Sequence, residues 1–181
     1  KDTQNWTFFE LNPAVVEIAT NSEYFTFLKD CMHHYDVQIG DARITLEQQQ
    51  QQSYDLLVID AFTSDSIPTH LLTKEAIALY FSRLKNNGLL VFHISNRYLK
   101  LKKVLSDHVE KLGLTALIQE FRPKQKIPLV YRSDWAILAR NEAILKPLLT
   151  ANSQSIWQKP PHYPNARSWT DDFTSIMSVW K

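Results

Sequence analysis

Tyr54-Asp55-Leu56-Leu57-Val58-Ile59-Asp60 is a near-continuous apolar run with an acid at its far end. That pattern belongs to a parallel strand covered on both faces, so it predicts a buried strand with Asp60 at the carboxyl edge of a sheet. Outward from it, short β-rich runs alternate with amphipathic stretches, as in parallel strands joined by crossover helices. Upstream, Trp6-Thr7-Phe8-Phe9-Glu10 reads as a strand ending on an acid. Asn12-Pro13 then supplies an N-cap and a first-turn proline for a helix to about Ala19. A short helix over Glu23 to Asp30 leads to a strand at Tyr35 to Ile39, stopped by Gly40 and Asp41. Ala42 to Gln52 reads as helical, its glutamine run being an exposed helix end.

Downstream, Thr69 to Lys85 reads as a long helix with apolar positions Leu71, Leu72, Ile77, Leu79, Tyr80 and Leu84. Asn86-Asn87-Gly88 is expected to close it with residues that tolerate the left-handed region. A second buried strand, Leu89 to Ser95, precedes a helix from about Leu99 to Leu112, a stop at Gly113 and a strand near Leu114 to Gln119. After a basic loop at Arg122 to Pro128, Leu129 to Arg132 and Trp135 to Arg140 are expected to form an antiparallel terminal strand or hairpin at the sheet edge. Ala151 to Pro164 reads as irregular surface chain, and Thr170 to Val179 as a last short element. Trp135 and Trp180 are expected in the core, and Trp157 and Trp169 over a pocket or a subunit contact. The expectation is one α/β domain over 1–181, a mostly parallel sheet with helices on both faces.

Composition narrows the function classes. The chain has 181 residues, 44% of them hydrophobic and 22% charged, with a net charge of +1. This balance argues against disorder, and no overall field draws the protein to nucleic acid or an anionic membrane. The single cysteine, Cys31, excludes an intrachain disulfide and fits a reducing compartment, so a cytoplasmic location is expected. No apolar run is long enough to span a membrane. The 3 glycines, Gly40, Gly88 and Gly113, stand alone, so neither a Gly-x-Gly-x-x-Gly nor a Walker-type phosphate cradle can be written. Adjacent His33 and His34 near Cys31 point apart on a short element, and no metal is expected.

Ligands of open α/β sheets bind outside the carboxyl ends of the strands. Those ends carry Glu10, Asp41, Asp60 and then His93 with Ser95 and Asn96. Each acid could cap the following helix. Together, three acids on one rim form a site hypothesis. A carboxylate at a strand end can accept both ribose hydroxyl protons, which is the placement of Glu10. Asp41 with the neighbouring Ala42 suits an adenine amine and a ring nitrogen, leaving Asp60 for the reacting group. His93, inside a buried strand, reads at least as readily as structural, and Ser95 and Asn96, just past it, are better placed for ligand contact.

The segments Phe8-Phe9-Glu10-Leu11-Asn12-Pro13-Ala14-Val15-Val16, Gly40-Asp41-Ala42-Arg43 and Tyr54 to Phe62, with Ser66-Ile67-Pro68, resemble the spermidine synthase (polyamine aminopropyltransferase) family. Phe92-His93-Ile94-Ser95-Asn96-Arg97-Tyr98-Leu99 and Trp169-Thr170-Asp171-Asp172 resemble bacterial spermidine synthase-like domains that are often fused to membrane transporter segments. The resemblance is strong from Trp6 to Leu99 and returns near Trp169. It implies a Rossmann-like, seven-stranded sheet of the S-adenosylmethionine-dependent methyltransferase type. It also implies decarboxylated S-adenosylmethionine as co-substrate, methylthioadenosine as product and a diamine such as putrescine as acceptor. Glu10 and Leu11 would meet the ribose, Asp41 and Ala42 the adenine, and Asp60 would be the catalytic carboxylate, with Asp65 on the distal ammonium. A cytoplasmic homodimer is the family expectation, and the fusions leave room for a membrane-attached parent.

Two positions depart from the family pattern. Asp60-Ala61-Phe62-Thr63 carries Thr63 where a second acid is usual. The family's first strand and Gly-rich loop, which would precede Trp6, are missing from these residues, so the edges of the Trp6 and Tyr54 strands are expected to lack a partner. Methyl transfer from S-adenosylmethionine and a degenerate, non-enzymatic nucleoside-binding or interaction domain are the alternatives. Asp171 and Asp172 read as first-turn helix acids or as extra carboxylates for a polyamine.

Overall fold

Two parallel strands, β1 (Asn5–Glu10) and β2 (His34–Ile39), pair in register from Asn5 opposite His34 to Glu10 opposite Ile39. They carry α1 (Pro13–Thr20), α2 (Phe27–Cys31) and α3 (Ala42–Glu47) between and after them. The computed structural model describes residues 3–61, 68–123, 125, 128–150, 157–164 and 166–181, and the chain divides into two compact units, 1–49 and 50–181. The first unit is this strand pair with its helices. Leu28 and Leu46 are its buried residues among those described. Asn12 caps α1 by accepting the Ala14 amide at 3.0 Å, as the Asn-Pro pair predicts. α2 begins four residues later than Glu23, and α3 stops at Glu47 before the glutamine run.

The second unit is a five-stranded sheet in the order β3-β4-β6-β5-β7. Its strands are β3 (Tyr54–Ile59), β4 (Leu84–His93), β5 (Thr115–Phe121), β6 (Ser133–Ala139) and β7 (Trp157–Gln158), joined by α4 (Lys74–Arg83), α5 (Lys102–Lys111) and α6 (Glu142–Thr150). β3 and β4 are parallel, while β6 runs antiparallel between β4 and β5. On one side of the sheet Leu90 pairs with Leu138 and Phe92 with Ala136, all inaccessible to solvent. α4 packs on β4, and the Tyr80 ring lies 6.2 Å from Phe92. On the other side Leu117, Ile137 and Ala139 pack with Leu145 of α6. Helices therefore cover both faces of this sheet over its interior strands, as in a Rossmann-like unit.

Several expectations change. The antiparallel strand at Trp135 is interior, and the edge falls to β7, because β5 and β6 form a long antiparallel ladder from Thr115 opposite Ala139 to Phe121 opposite Ser133. Helix α4 ends at Arg83, and Asn86-Asn87-Gly88 bulge out within β4, whose partners step from Tyr54 to Leu56 while β4 advances from Leu84 to Leu89. Gly88 is needed for closeness rather than for a left-handed turn, since a Cβ there would sit 2.9 Å from Leu84 Cδ2. Gly113, at φ +63°, ends α5 as expected, with the Leu114 amide bonded to Val109 O and the Gly113 amide to Glu110 O.

β3 is an edge strand of its sheet. Leu57 is buried, but Leu56 and Val58 are 42% and 46% exposed, so one face lies open where the apolar run predicts cover on both. Among the described residues, β1 pairs with β2 alone and β3 with β4 alone, leaving one edge of each without a strand. Trp169 is wholly buried, whereas Trp180 is 55% exposed and stacks on Tyr98, reversing both readings. No helix among the described residues is long and apolar enough to cross a membrane.

Candidate functional site

In the first unit, β1 and β2 end side by side. The Gly40 amide donates to Glu10 O at 3.0 Å, so the parallel register brings Glu10 and the Gly40-Asp41 turn to the same end of the pair. Gly40 adopts φ +149°, and a Cβ there would lie 2.8 Å from Thr45 Oγ1; this turn is built for glycine. Asp41 Oδ1 accepts the amides of Arg43 at 2.9 Å and Ile44 at 3.1 Å, capping α3. Glu10 Oε1 accepts the Asn12 amide at 2.8 Å. Both acids thus organise backbone locally, and their strand-end position is the one predicted. Leu11 is exposed and Ala42 half-buried beside them.

In the second unit, Asp60 stands just past the end of β3 and His93 at the end of β4. His93 Nδ1 lies 2.7 Å from Asp60 Oδ1, and His93 Nε2 lies 2.7 Å from Ser95 Oγ. Ser95 Oγ also accepts the Asp134 amide at 2.8 Å. The imidazole stacks on Trp135, its cross-strand neighbour, at 4.5 Å and 20°. Behind this group Arg122 grips Asp134 with both guanidinium arms, which raises the guanidinium above its ordinary pKa.

The order of importance along Phe92 to Leu99 differs from the sequence reading. Asn96 is buried, and its Oδ1 accepts the amides of Tyr98 and Leu99 at 2.9 and 2.8 Å, so it shapes the turn. Ser95 turns its hydroxyl to His93. The histidine, read at least as readily as structural, is the residue that meets Asp60. A cross-strand contact of this kind depends on the β3–β4 register, which no local pattern encodes. Asp65 and Thr63, with Ser66 and Ile67, lie outside the described residues.

The Trp169 to Asp172 motif clasps the start of α4. The Lys74 amide donates to Trp169 O at 2.8 Å, Thr73 Oγ1 donates to Asp171 Oδ1 at 2.7 Å, and the Asp171 amide donates to Glu75 Oε2 at 3.1 Å. Asp171 therefore serves the N-terminus of α4 rather than a helix of its own. Two surface cavities of about 160 and 170 Å3 lie beside α6 and between α5 and Pro160 to Tyr163. Asp60 and His93 line neither, and the strand-end chemistry outweighs these shallow hollows as a candidate site.

No family model matches the chain. Over 84 residues the chain is 36% identical to a polyamine aminopropyltransferase of Vibrio vulnificus, a match spanning 45% of this chain and 27% of that protein. A probable spermidine synthase from Corynebacterium glutamicum superposes with a TM-score of 0.59 at 15% identity, over 94% of this chain and 65% of that one. By sequence over those 84 residues, and by fold over most of its length, the chain is similar to spermidine synthases (aminopropyltransferases), of which it spans only part. Human methyltransferase-like protein 13, solved in complex with SAH, superposes with a TM-score of 0.53 at 15% identity, over 88% of this chain and 73% of that one. The Rossmann-like architecture is thus one that spermidine synthases share with S-adenosylmethionine-dependent methyltransferases.

Proposed function

We propose that this spermidine synthase relative transfers an aminopropyl group from decarboxylated S-adenosylmethionine to a diamine such as putrescine, releasing methylthioadenosine. The observation that carries the reading is the pair of acids at the ends of β1 and β2, joined by the Gly40 to Glu10 hydrogen bond. In this reading Glu10 and Leu11 receive the ribose, Asp41 and Ala42 the adenine, and Asp60 the attacking amine, with Asp65 on the far ammonium. The nitrogen lone pair forms a bond to the carbon beside the sulfonium, the carbon–sulfur bond breaks, and the amine proton passes to Asp60. A sulfonium is already a good leaving group, so the protein's task is alignment and proton removal. A cytoplasmic homodimer of one domain over 1–181 belongs to the same proposal.

Calorimetric titration with methylthioadenosine, repeated with Glu10→Ala, tests the nucleoside half; binding is expected in the parent and loss in the variant. Product analysis with putrescine and Asp60→Asn tests the chemistry. Full aminopropyl transfer by Asp60→Asn would sink the mechanism, and transfer of methyl from S-adenosylmethionine in place of aminopropyl would turn the reading toward a methyltransferase.

A further inference from the structure

We propose that His93 is a positioning residue for Asp60, locked in one tautomer by Ser95 and the peptide amide of Asp134; this rests on Asp60 being the amine-facing carboxylate. An ionised carboxylate only accepts, so the 2.7 Å contact to Asp60 Oδ1 puts a proton on His93 Nδ1. At the other ring nitrogen, Ser95 Oγ already accepts the Asp134 amide at 2.8 Å and can donate its own proton along the 2.7 Å contact to an unprotonated Nε2. A neutral imidazole protonated at Nδ1 satisfies both of these contacts. An imidazolium would leave the Ser95 proton to seek another acceptor.

Several connections hold the ring. Trp135 sets its plane by stacking, β4 sets its position in the sheet, Ser95 holds Nε2, and Asp60 takes the Nδ1 proton. With Oδ1 of Asp60 engaged, the carboxylate rotamer is set and its second oxygen takes a defined direction. Asp60 is 52% exposed in its side chain and the His93 side chain 23%, so the anchor lies deeper than the group it aims. Without such an anchor an exposed aspartate would sample several rotamers, and alignment is what a reaction with a ready leaving group demands. The Asp134 amide and the imidazole engage both sides of the Ser95 hydroxyl, and in this proposal that engagement serves to hold the ring.

Two measurements on the full protein separate this proposal from the reading beneath it. Long-range proton–nitrogen NMR on protein carrying 15N-labelled histidine reports the His93 tautomer without turnover or ligand. The neutral Nδ1–H form is expected in the parent. Steady-state kinetics with the diamine form the second arm. His93→Leu should lower kcat by about tenfold or more, the loss typical of a hydrogen bond to a charged group, with methylthioadenosine affinity unchanged. His93→Asn, whose amide can donate from near the Nδ1 position, should recover most of it, and near-ultraviolet circular dichroism checks that each variant is folded. A protonated Nε2 in the parent, an unchanged kcat in folded His93→Leu, or stoichiometric labelling of Ser95 by a fluorophosphonate would overturn the proposal. The expected tautomer in a protein that turns over no diamine would refute the aminopropyl reading and, with it, the catalytic use of the pin, while leaving the hydrogen-bond assignment intact.

Discussion

Replacing Asp41 separates two roles that the structure superimposes on one side chain. Its Oδ1 caps α3 through the amides of Arg43 and Ile44, two of the N-terminal donors that a helix cannot satisfy internally. α3 is only six residues long, so it has little else to hold its first turn. Asp41→Ala removes the cap and should cost about 1 kcal/mol, lowering the thermal midpoint of a chain this size by about 2–4 °C. Asp41→Ser keeps a capping oxygen and should stay within a few tenths of a kcal/mol of the parent. Adenine recognition has different needs. If the carboxylate accepts the exocyclic amine, losing that charged acceptor costs about 1.5–3 kcal/mol, a drop in methylthioadenosine affinity of roughly 10- to 100-fold, in both variants alike. Differential scanning calorimetry and isothermal titration on the same three proteins read the two effects. Parental affinity in Asp41→Ser would refute the ligand role and leave Asp41 as a helix cap; parental stability in Asp41→Ala would refute the capping argument.

Other consequences are equally open to measurement. Gly40→Ala forces a side chain into φ +149° beside Thr45 Oγ1 and should destabilise the protein by about 1–3 kcal/mol, lowering the urea midpoint; an unmoved midpoint would show that the turn relaxes freely. His108 is fully buried, donates from Nε2 to Leu72 O at 3.0 Å, and has an Nδ1 without a hydrogen-bond partner among the described residues. Burial pulls its pKa below the ordinary 6.5, so the folded state binds fewer protons than the unfolded state. Its stability is therefore complete above about pH 6.5 and lost as the pH falls below that value toward the lowered folded pKa. His108→Gln, which keeps a donor for Leu72 O, should flatten the acid side of the stability profile, and an identical slope in parent and variant would contradict the assignment.

Much of the fold was legible because its signals are local. The Asn12-Pro13 start of α1 and the Gly113 stop of α5 are decided within a few residues, by backbone donors needing acceptors and by a turn that a Cβ would oppose. The strands β3 and β4 and the acids at strand ends follow from short, near-continuous apolar runs and from the turns that end them. The bulge at Asn86 to Gly88 escaped that reading because the same residues that end a helix also tolerate a bulge, and only the pairing of Tyr54 with Leu84 distinguishes them. Strand order escaped it as well. The local pattern of β6 is equally compatible with an edge and with the interior, and its place follows from ladders with β4 and β5, strands that lie apart from it in the sequence.

The candidate site divides along the same line. Sequence alone determined which side chains stand at the strand ends, Glu10, Asp41 and Asp60, because strand length and the following turn are written in adjacent residues. Tertiary structure alone decided that Asp60 meets His93, that Ser95 and Asp134 hold the imidazole, and that the Trp169 to Asp172 motif clasps α4. Those contacts join residues as far as 98 positions apart. Their geometry comes from register and packing between elements, where a shift of one residue would turn each side chain to the opposite face.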